Sequence, residues 1–265
     1  MKKHSLYISL ILIICFSSCS SEDVSVLNSD ANYFPLKVGN SWAYENEIIE
    51  NSETLQGIET LTVEEENQNR YNFTQTVTDL EGVFTGVLSS GILYKENSNQ
   101  KIIYDGQFVL ALDNESSNLS IPLEDIILYD ANLSQGSVMS SGSGTFQQDI
   151  NGFPIDFNFE INSIHRGFTT EKIVNGMSYE DVFISDIEIS LSASVFLVIS
   201  DFTILQEQRV TKITNYYAEN VGLILSEVTT EAIFEDIPEQ LNADIQDINF
   251  TSSQILVDYS LENNL

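Results

Sequence analysis

The stretch that decides the fold is Phe153–Ile161, FPIDFNFEI, near the middle of the chain. Its apolar residues occupy every second position, and polar residues or Pro154 fill the positions between them. Because successive side chains of a β-strand point to opposite faces, this period of two predicts a strand with one buried face and one face in water. Such strands are typical of antiparallel sheets that cover a core on one side.

Three turn dipeptides separate strand-like runs along the chain. Asp105-Gly106, Asn151-Gly152 and Asn175-Gly176 are favoured in type I′ turns, which require positive φ at both central residues. We therefore predict a β-hairpin at each dipeptide. The second and third of these hairpins would enclose the strand that begins at Phe153.

The remaining segments extend the strand prediction over most of the chain. Further strands are predicted over residues 60–66, 71–78, 83–94, 187–191, 195–199, 209–217, 223–231 and 254–261. The run 195–199 is apolar on both faces, so we expect it to cross the most buried part of the sheet. Residues 121–130 are either a loop or a short strand, and the Ser/Gly-rich residues 137–144 form an edge or a bulge. Residues 238–248 have a helical pattern.

Together these patterns predict an all-β fold. We expect a single strongly curved antiparallel sheet or a partly open β-barrel of roughly ten to thirteen strands. At most one short helix is expected, near the C-terminus. The length of the chain is compatible with one all-β domain or with two small domains.

The first 18 residues have the composition of an export signal. Lys2 and Lys3 form a positively charged start, and residues 6–16 are apolar except for Ser9. As a helix, this run of 11 residues would be about 16 Å long, roughly half of the ~30 Å hydrocarbon core of a membrane. It is too short for a membrane span and has the length of a signal-peptide core.

The end of this segment, Phe16-Ser17-Ser18-Cys19, resembles the cleavage site of bacterial lipoprotein signal peptides. In that family the thiol accepts a diacylglyceryl group, and cleavage leaves the modified cysteine as the first residue. The resemblance implies a signal peptide over residues 1–18 and lipidation at Cys19. Cys15 is a poorer candidate because bulky isoleucines precede it. The alternative is an ordinary secretory signal cleaved after a serine, with Cys19 unmodified.

Residues 19–32 form a flexible acidic tether in this interpretation. Ser20-Ser21-Glu22-Asp23 resembles the short acidic signal that directs Bacteroidota lipoproteins to the outer face of the outer membrane. A flexible tether of this length reaches about 20 Å, which would keep the folded part close to the membrane. We expect a protein held in the outer membrane by its lipid anchor and displayed on the cell surface, with the periplasmic face as the alternative location.

Two further motifs resemble uncharacterised Bacteroidota lipoproteins. The first is the opening F-P-L-x-x-G-x-x-W-x-Y pattern of residues 34–44, and the second is the closing Y-Y-A-E-N-V-G-L of residues 216–223. Since these motifs bracket most of the chain, we predict one domain over residues 33–265. The resemblance implies a curved antiparallel sheet and no assigned activity.

Composition excludes several partners and cofactors. Lys2 and Lys3 lie in the predicted signal peptide, which leaves eight Lys and Arg residues against 40 Asp and Glu residues. Eight scattered cations cannot form a basic patch, so we expect no nucleic-acid partner. The sequence has no spaced Asp-rich calcium loop, no phosphate-binding glycine loop and no cysteine pair in the predicted domain, so we expect no metal and no cofactor.

No catalytic set is recognisable in the sequence. His165 is the one histidine after the predicted signal peptide, and we expect it at the surface or in a turn. Trp42 is expected in the core and Glu64-Glu65-Glu66 in solvent. Tyr216 and Tyr217 should point to opposite faces of a strand.

We therefore expect a non-catalytic lipoprotein of the cell envelope that binds or scaffolds another component. One alternative is a carrier of an apolar ligand within the curved sheet, which requires an apolar cavity of at least ~300 Å³. A concave face filled by its own Phe and Ile side chains would oppose the carrier. A second alternative is a carboxylate-based hydrolase, which requires two carboxyls about 5–10 Å apart in a cleft.

Overall fold

The structure is a computed structural model. It describes residues 31–262, except for the segments 97–99, 112–117, 151, 198–199 and 237–245. Most of the described chain lies in one antiparallel sheet of 12 strands. The strands are β1 (Ser41–Glu50), β2 (Glu53–Asn67), β3 (Arg70–Thr78), β4 (Ile92–Lys95), β5 (Lys101–Ala111), β6 (Asn118–Asp130), β7 (Val138–Ile150), β8 (Phe153–Val174), β9 (Met177–Leu197), β10 (Ser200–Ala218), β11 (Gly222–Ala232) and β12 (Ile248–Ser260). A short helix, α1 (Val83–Ser89), lies between β3 and β4.

The sheet is curved so far that its two outermost strands face each other. Its order is β6-β5-β4-β3-β2-β1-β12-β11-β10-β9-β8-β7, and all neighbouring pairs are antiparallel. The sheet is nearly closed into a barrel, with one unsealed seam between β6 and β7. The predicted all-β fold, a strongly curved sheet or partly open barrel, is confirmed.

Side-chain hydrogen bonds bridge the two edges of the seam. The N–H of Ile127 on β6 donates to Ser140 Oγ on β7 over 2.8 Å. Near the other end of both strands, Gln148 Nε2 donates to the carbonyl of Asn118 over 2.8 Å. Ser140 also lies at a bulge of the edge strand β7, which confirms the edge or bulge predicted for residues 137–144.

Strand β8 confirms the alternation of the stretch that begins at Phe153. Ile155, Phe157 and Ile161 are buried, and the polar residues between them are exposed. The expectation for residues 195–199 is wrong, because Phe196 is 59% exposed. It lies near the end of β9 on the outer face of the sheet, where none of the described segments buries it.

The strands define two ends of the barrel. Odd-numbered strands leave one end and even-numbered strands return to it, because every strand is antiparallel to its neighbours. We call this the near end, since the described chain begins there: the Asn220 N–H in the turn between β10 and β11 donates to the carbonyl of Asn32 over 2.7 Å. The opposite end, where β1 turns into β2, is the far end.

Two of the predicted hairpin turns lie between strands and the third does not. Asn175 and Gly176 join β8 to β9 with φ of 48° and 75°, as a type I′ turn requires. Gly152 joins β7 to β8 with φ of 84°, and residue 151 lies outside the described residues. The hairpin predicted at Asp105-Gly106 is wrong, because both residues lie inside β5. A Cβ at Gly106 would lie 2.1 Å from the Tyr104 hydroxyl, so this glycine permits close packing rather than a turn.

The strand predicted over residues 83–94 is also wrong in its first half. Residues 83–89 form α1, and β4 begins only at Ile92. The helix forms because side chains from other strands bond its first turn, as described below. The helix predicted over residues 238–248 falls largely outside the described residues, and Ile248 begins β12.

Candidate functional site

The predicted lipidation site, Cys19, lies outside the described residues, but the structure shows where the chain enters the barrel. Ala31, Tyr33 and Phe34 are buried at the near end. The Tyr33 ring lies 5.9 Å from the Tyr129 ring and 5.7 Å from the Phe183 ring, measured between centroids. Ala31, the first residue that the structure describes, is thus already packed against the barrel, so an anchor upstream of this residue would hold the near end.

The opening and closing motifs contact each other at the near end. Trp42 is fully buried, as predicted, and its Nε1 donates to the Val221 carbonyl over 2.6 Å. Tyr44 Oη donates to the Leu223 carbonyl over 3.0 Å. Gly222 has a φ of 113°, and a Cβ there would lie 2.9 Å from Trp42 Nε1. The opening and closing motifs therefore pack against each other as one unit.

A carboxylate is buried inside the barrel beside α1. Glu59 on β2 is 1% exposed and accepts hydrogen bonds from four neutral donors. The Gly82 N–H donates over 2.9 Å, Gln75 Nε2 over 2.6 Å and Gln254 Nε2 over 2.8 Å. The fourth donor is the Thr85 hydroxyl. We call Glu59, Gln75, Gly82, Thr85 and Gln254 the interior cluster.

The interior cluster fixes the first turn of α1. Gln254 Oε1 accepts from the N–H groups of Phe84 and Thr85 over 2.6 and 3.2 Å, which satisfies two donors that a helix start leaves unpaired. A Cβ at Gly82 would lie 1.8 Å from Gln254 Nε2, so glycine lets the chain pass the amide. Burial, with the nearby charge of Glu59, raises the pKa of Glu81. No sequence motif predicts the interior cluster, although Glu59 alternates with Leu61 and Val63 on the inward face of β2.

A row of polar side chains crosses the inner face of six neighbouring strands. Its members stand opposite one another in register and are His165, Ser185, Asn215, Ser226, Gln254 and Asn46, on β8, β9, β10, β11, β12 and β1. All are at most 2% exposed. Two members of this polar row have side-chain hydrogen bonds of their own: the Ser185 hydroxyl donates to the Leu128 carbonyl over 2.8 Å, and Gln254 Nε2 donates to Asn46 Oδ1 over 3.3 Å.

His165 is not at the surface or in a turn, so that prediction is wrong. It is 2% exposed, and its ring lies 4.6 Å from that of Phe183 and 5.5 Å from that of Phe168. Burial lowers the pKa of His165, while the Ser134 backbone and the charge of Asp130 oppose this effect. His165 continues the alternation of Phe157, Ile161 and Ser163 along β8, and this alternation places it on the inner face. The bulge between His165 and Gly167 comes only after it.

The outer face of β8, β9 and β10 carries a second buried carboxylate. The Asp186 side chain is 1% exposed and accepts from Lys212 Nζ over 3.0 Å, from Thr214 Oγ1 over 2.7 Å and from Arg166. Arg166 Nη2 also donates to Glu188 over 2.9 Å. We call these five residues the outer cluster. Two cations cover Asp186, whereas uncharged groups cover Glu59.

The remaining side chains singled out in the sequence occupy the predicted environments. Tyr217 is buried inside the barrel and Tyr216 is half-buried on the outside. Lys172 Nζ lies 4.0 Å above the Tyr216 ring, and Tyr216 Oη donates to Glu227 over 3.0 Å. Burial, followed by the contact with Glu227, raises the pKa of Tyr216 to about 12. The run Glu64-Glu65-Glu66 is exposed, as predicted.

The inside of the barrel is filled by its own side chains. The largest fully buried ones are aromatic and include Trp42, Tyr33, Tyr44, Tyr104, Tyr129, Tyr217, Phe34, Phe84, Phe108 and Phe183. A depression of about 180 Å³ lies on the surface and is lined mainly by polar residues of β2 and β3, such as Glu65, Asn67 and Arg70. This filled interior opposes the carrier alternative.

The described residues contain neither a cluster of metal ligands nor a membrane-spanning helix. Within residues 31–262 and outside the gaps named above, no three His, Cys, Asp or Glu side chains converge as metal ligands would. In the same part of the chain, no helix has the length and apolar character needed to cross a bilayer.

Two solved structures resemble the barrel. One is a protein of Bacteroides fragilis NCTC 9343 that is inferred to be exported and has a YmcC-like fold. Its sequence is 10% identical, the alignment covers 87% of this chain and 100% of that protein, and the TM-score is 0.43. The other is an inferred lipoprotein of Parabacteroides distasonis ATCC 8503, with 11% identity, coverage of 88% and 100%, and a TM-score of 0.39. Neither the sequence profiles of protein families nor curated proteins gave a match. Identities and TM-scores this low show no shared function.

Proposed function

We propose that this chain is a lipoprotein of the cell envelope whose β-barrel acts as a non-catalytic binding or scaffolding module. The observation that carries the proposal is Phe16-Ser17-Ser18-Cys19 directly after an apolar run of 11 residues. Acyl chains on Cys19 would anchor the protein stably, because two or three chains together overcome the marginal hold of one.

The position of the folded chain supports this proposal. Ala31 is buried at the near end, only 12 residues after Cys19. A tether of this length reaches about 20 Å. The near end would therefore face the membrane, and the far end would be presented to partners in the envelope.

The state of the polar groups supports a non-catalytic role. His165 is covered by Phe168 and Phe183, so it cannot reach a substrate without unfolding of the near end. Glu59 is saturated by four donors, and Asp186 is paired with Arg166 and Lys212. None of these three groups is available as an acid or a base. The hydrolase alternative has no support from them.

Replacing the proposed lipidated residue tests the anchor. In Cys19→Ser the thiol that carries the lipid is lost, so the protein should leave the membrane fraction, and mass spectrometry should find no acylated first residue. Cys15→Ser is the matched control and should stay in the membrane fraction with its lipid. Unchanged membrane attachment of Cys19→Ser would overturn the proposal.

Display on the cell surface is the finer part of the proposal. It rests on Ser20-Ser21-Glu22-Asp23, which resembles a surface signal. In intact cells, protease should digest the native protein, whereas Glu22→Ala/Asp23→Ala should be protected. Asp30→Ala, outside the signal, should behave as the native protein. Protection of the native protein would place it on the periplasmic face instead.

A further inference from the structure

We propose that the middle of the polar row, together with Ser252 on β12, is an internal hydration site that holds bound water. Asn215, Ser226 and Ser252 lie on the inner faces of β10, β11 and β12. Their exposed fractions are 0%, 0% and 5%. The site is independent of the lipid anchor and of any partner of the protein.

The polar atoms at this site lack protein partners. Among the described residues, none forms a hydrogen bond of normal geometry with Asn215 Nδ2, Asn215 Oδ1, Ser226 Oγ or Ser252 Oγ. Burial raises the pKa of the neighbouring Tyr217 phenol, and the Asn215 side chain opposes this rise. Among the described residues, the Tyr217 hydroxyl also has no hydrogen-bond partner of normal geometry. Leaving a buried polar group unpaired costs about 1–3 kcal/mol, so several such groups in one place indicate a ligand that can pair with them.

The register of the strands sets the spacing of these groups. Asn215 stands opposite Ser226, and Ser226 stands opposite Gln254, two residues from Ser252 on the same face. Side chains opposite each other have Cβ atoms about 5 Å apart, and diagonal neighbours are about 7–8 Å apart. Ser226 and Ser252 are diagonal neighbours, so their short side chains are too far apart to bond directly. One water spans about 5.6 Å between two partners at ordinary hydrogen-bond length.

The chemistry of the site selects water over other ligands. Asn215 offers two donors and an acceptor, and each serine offers a hydroxyl that donates or accepts. The groups are uncharged, and a buried water needs two to four such partners. The neighbouring inner face is filled by Leu, Val and aromatic side chains, including Tyr217, Leu223 and Val228, so a larger polar ligand has no room.

Serine-to-alanine substitutions test the proposal by the sign of their effect. If water bridges the site, Ser226→Ala and Ser252→Ala each remove one of its partners, and the melting temperature of the full protein should fall by about 2–4 °C. The melting temperature of the double variant should fall by less than the sum of the two single falls, because the second hydroxyl has no water left to hold. If the site is dry, each substitution removes an unpaired hydroxyl, and the melting temperature should rise.

Two further measurements complete the test. Ser185→Ala is the control, because its hydroxyl bonds the Leu128 carbonyl and its loss lowers the melting temperature in either case. A crystal structure of the native protein should show solvent density within hydrogen-bond distance of at least two of Asn215, Ser226 and Ser252. Raised melting temperatures in both single variants, or a site without such density, would overturn the proposal.

Discussion

The interior and outer clusters each bury one carboxylate, but they hold it in opposite ways. Glu59 and Asp186 are both 1% exposed. Inside the barrel, Glu59 is held only by uncharged donors that lie within the fold, whereas Arg166 and Lys212 beside Asp186 have side chains that are 39% and 37% exposed. The cations can return to water when their partner is removed, but the interior donors cannot. Equal burial therefore does not imply an equal contribution to stability.

The largest effect is expected from Glu59→Ala. It leaves the donors of Gln75, Gly82, Thr85 and Gln254 without their acceptor, so the free energy of unfolding should fall by on the order of 4 kcal/mol. Urea denaturation followed by circular dichroism measures this change. Glu59→Gln keeps the shape and one acceptor and should lose less. A loss below about 1 kcal/mol in Glu59→Ala would contradict the structural role of the cluster.

Gly82→Ala should damage the same cluster from its other side. The added Cβ would lie 1.8 Å from Gln254 Nε2, so the amide must move and release both Glu59 and the first turn of α1. We expect a loss of about 2–3 kcal/mol in the free energy of unfolding. Gly142→Ala is the matched control, because its nearest neighbour would be Ile126 Cδ1 at 4.0 Å. Equal stability of the two variants would mean that Gln254 is not held in place.

Asp186→Asn should cost less than either interior substitution. Arg166 and Lys212 lose their charged partner but gain water, so we expect a loss of about 1–2 kcal/mol. Salt screens ion pairs near the surface, and in 1 M NaCl the screening length is only ~3 Å. The difference in the free energy of unfolding between Asp186→Asn and the native protein should therefore shrink in 1 M NaCl. The difference between Glu59→Gln and the native protein should not shrink. A larger loss for Asp186→Asn than for Glu59→Ala would reverse the comparison.

The smallest effect is expected from His165, which is buried and has no ion pair among the described residues. It should make the free energy of unfolding depend on pH. Burial places its folded-state pKa below the ordinary value of 6.5, so the unfolded chain binds a proton more readily. Stability from this group is complete above about pH 6.5 and is lost as the pH falls toward the folded-state value. Denaturation at several pH values between 5.5 and 7.5 should show this slope in the native protein. A parallel series on His165→Gln should be flatter, and identical slopes would rule out this contribution.

The sequence predicted the barrel better than it predicted the polar sites. The alternation of Phe153–Ile161 and the Asn175-Gly176 turn depend on backbone geometry within a few residues, and both are confirmed. Trp42 and the opposite orientations of Tyr216 and Tyr217 follow from the same local rule. The interior cluster does not, because Glu59 and Gln254 are 195 residues apart in the chain.

Two of the wrong predictions, the strand over residues 83–89 and the turn at Gly106, have the same physical cause. Residues 83–89 have the composition of a strand but form α1, because Gln254 and Glu59 satisfy the first turn of the helix. Gly106 favours a turn, yet it lies within β5 to make room for Tyr104. In both cases a contact with another part of the fold outweighs the local preference.

The sequence by itself determined which face of most strands is buried, because side-chain alternation is a property of the extended backbone. It also carried the export and lipidation motif, which is local by nature. Only the tertiary structure decided which polar residues are buried together, since the pairing of β12 with β1 and with β11 brings Asn46, Gln254 and Ser226 into one row. Their burial depends on register between strands, and register is fixed by the packing of the whole sheet rather than by any single segment.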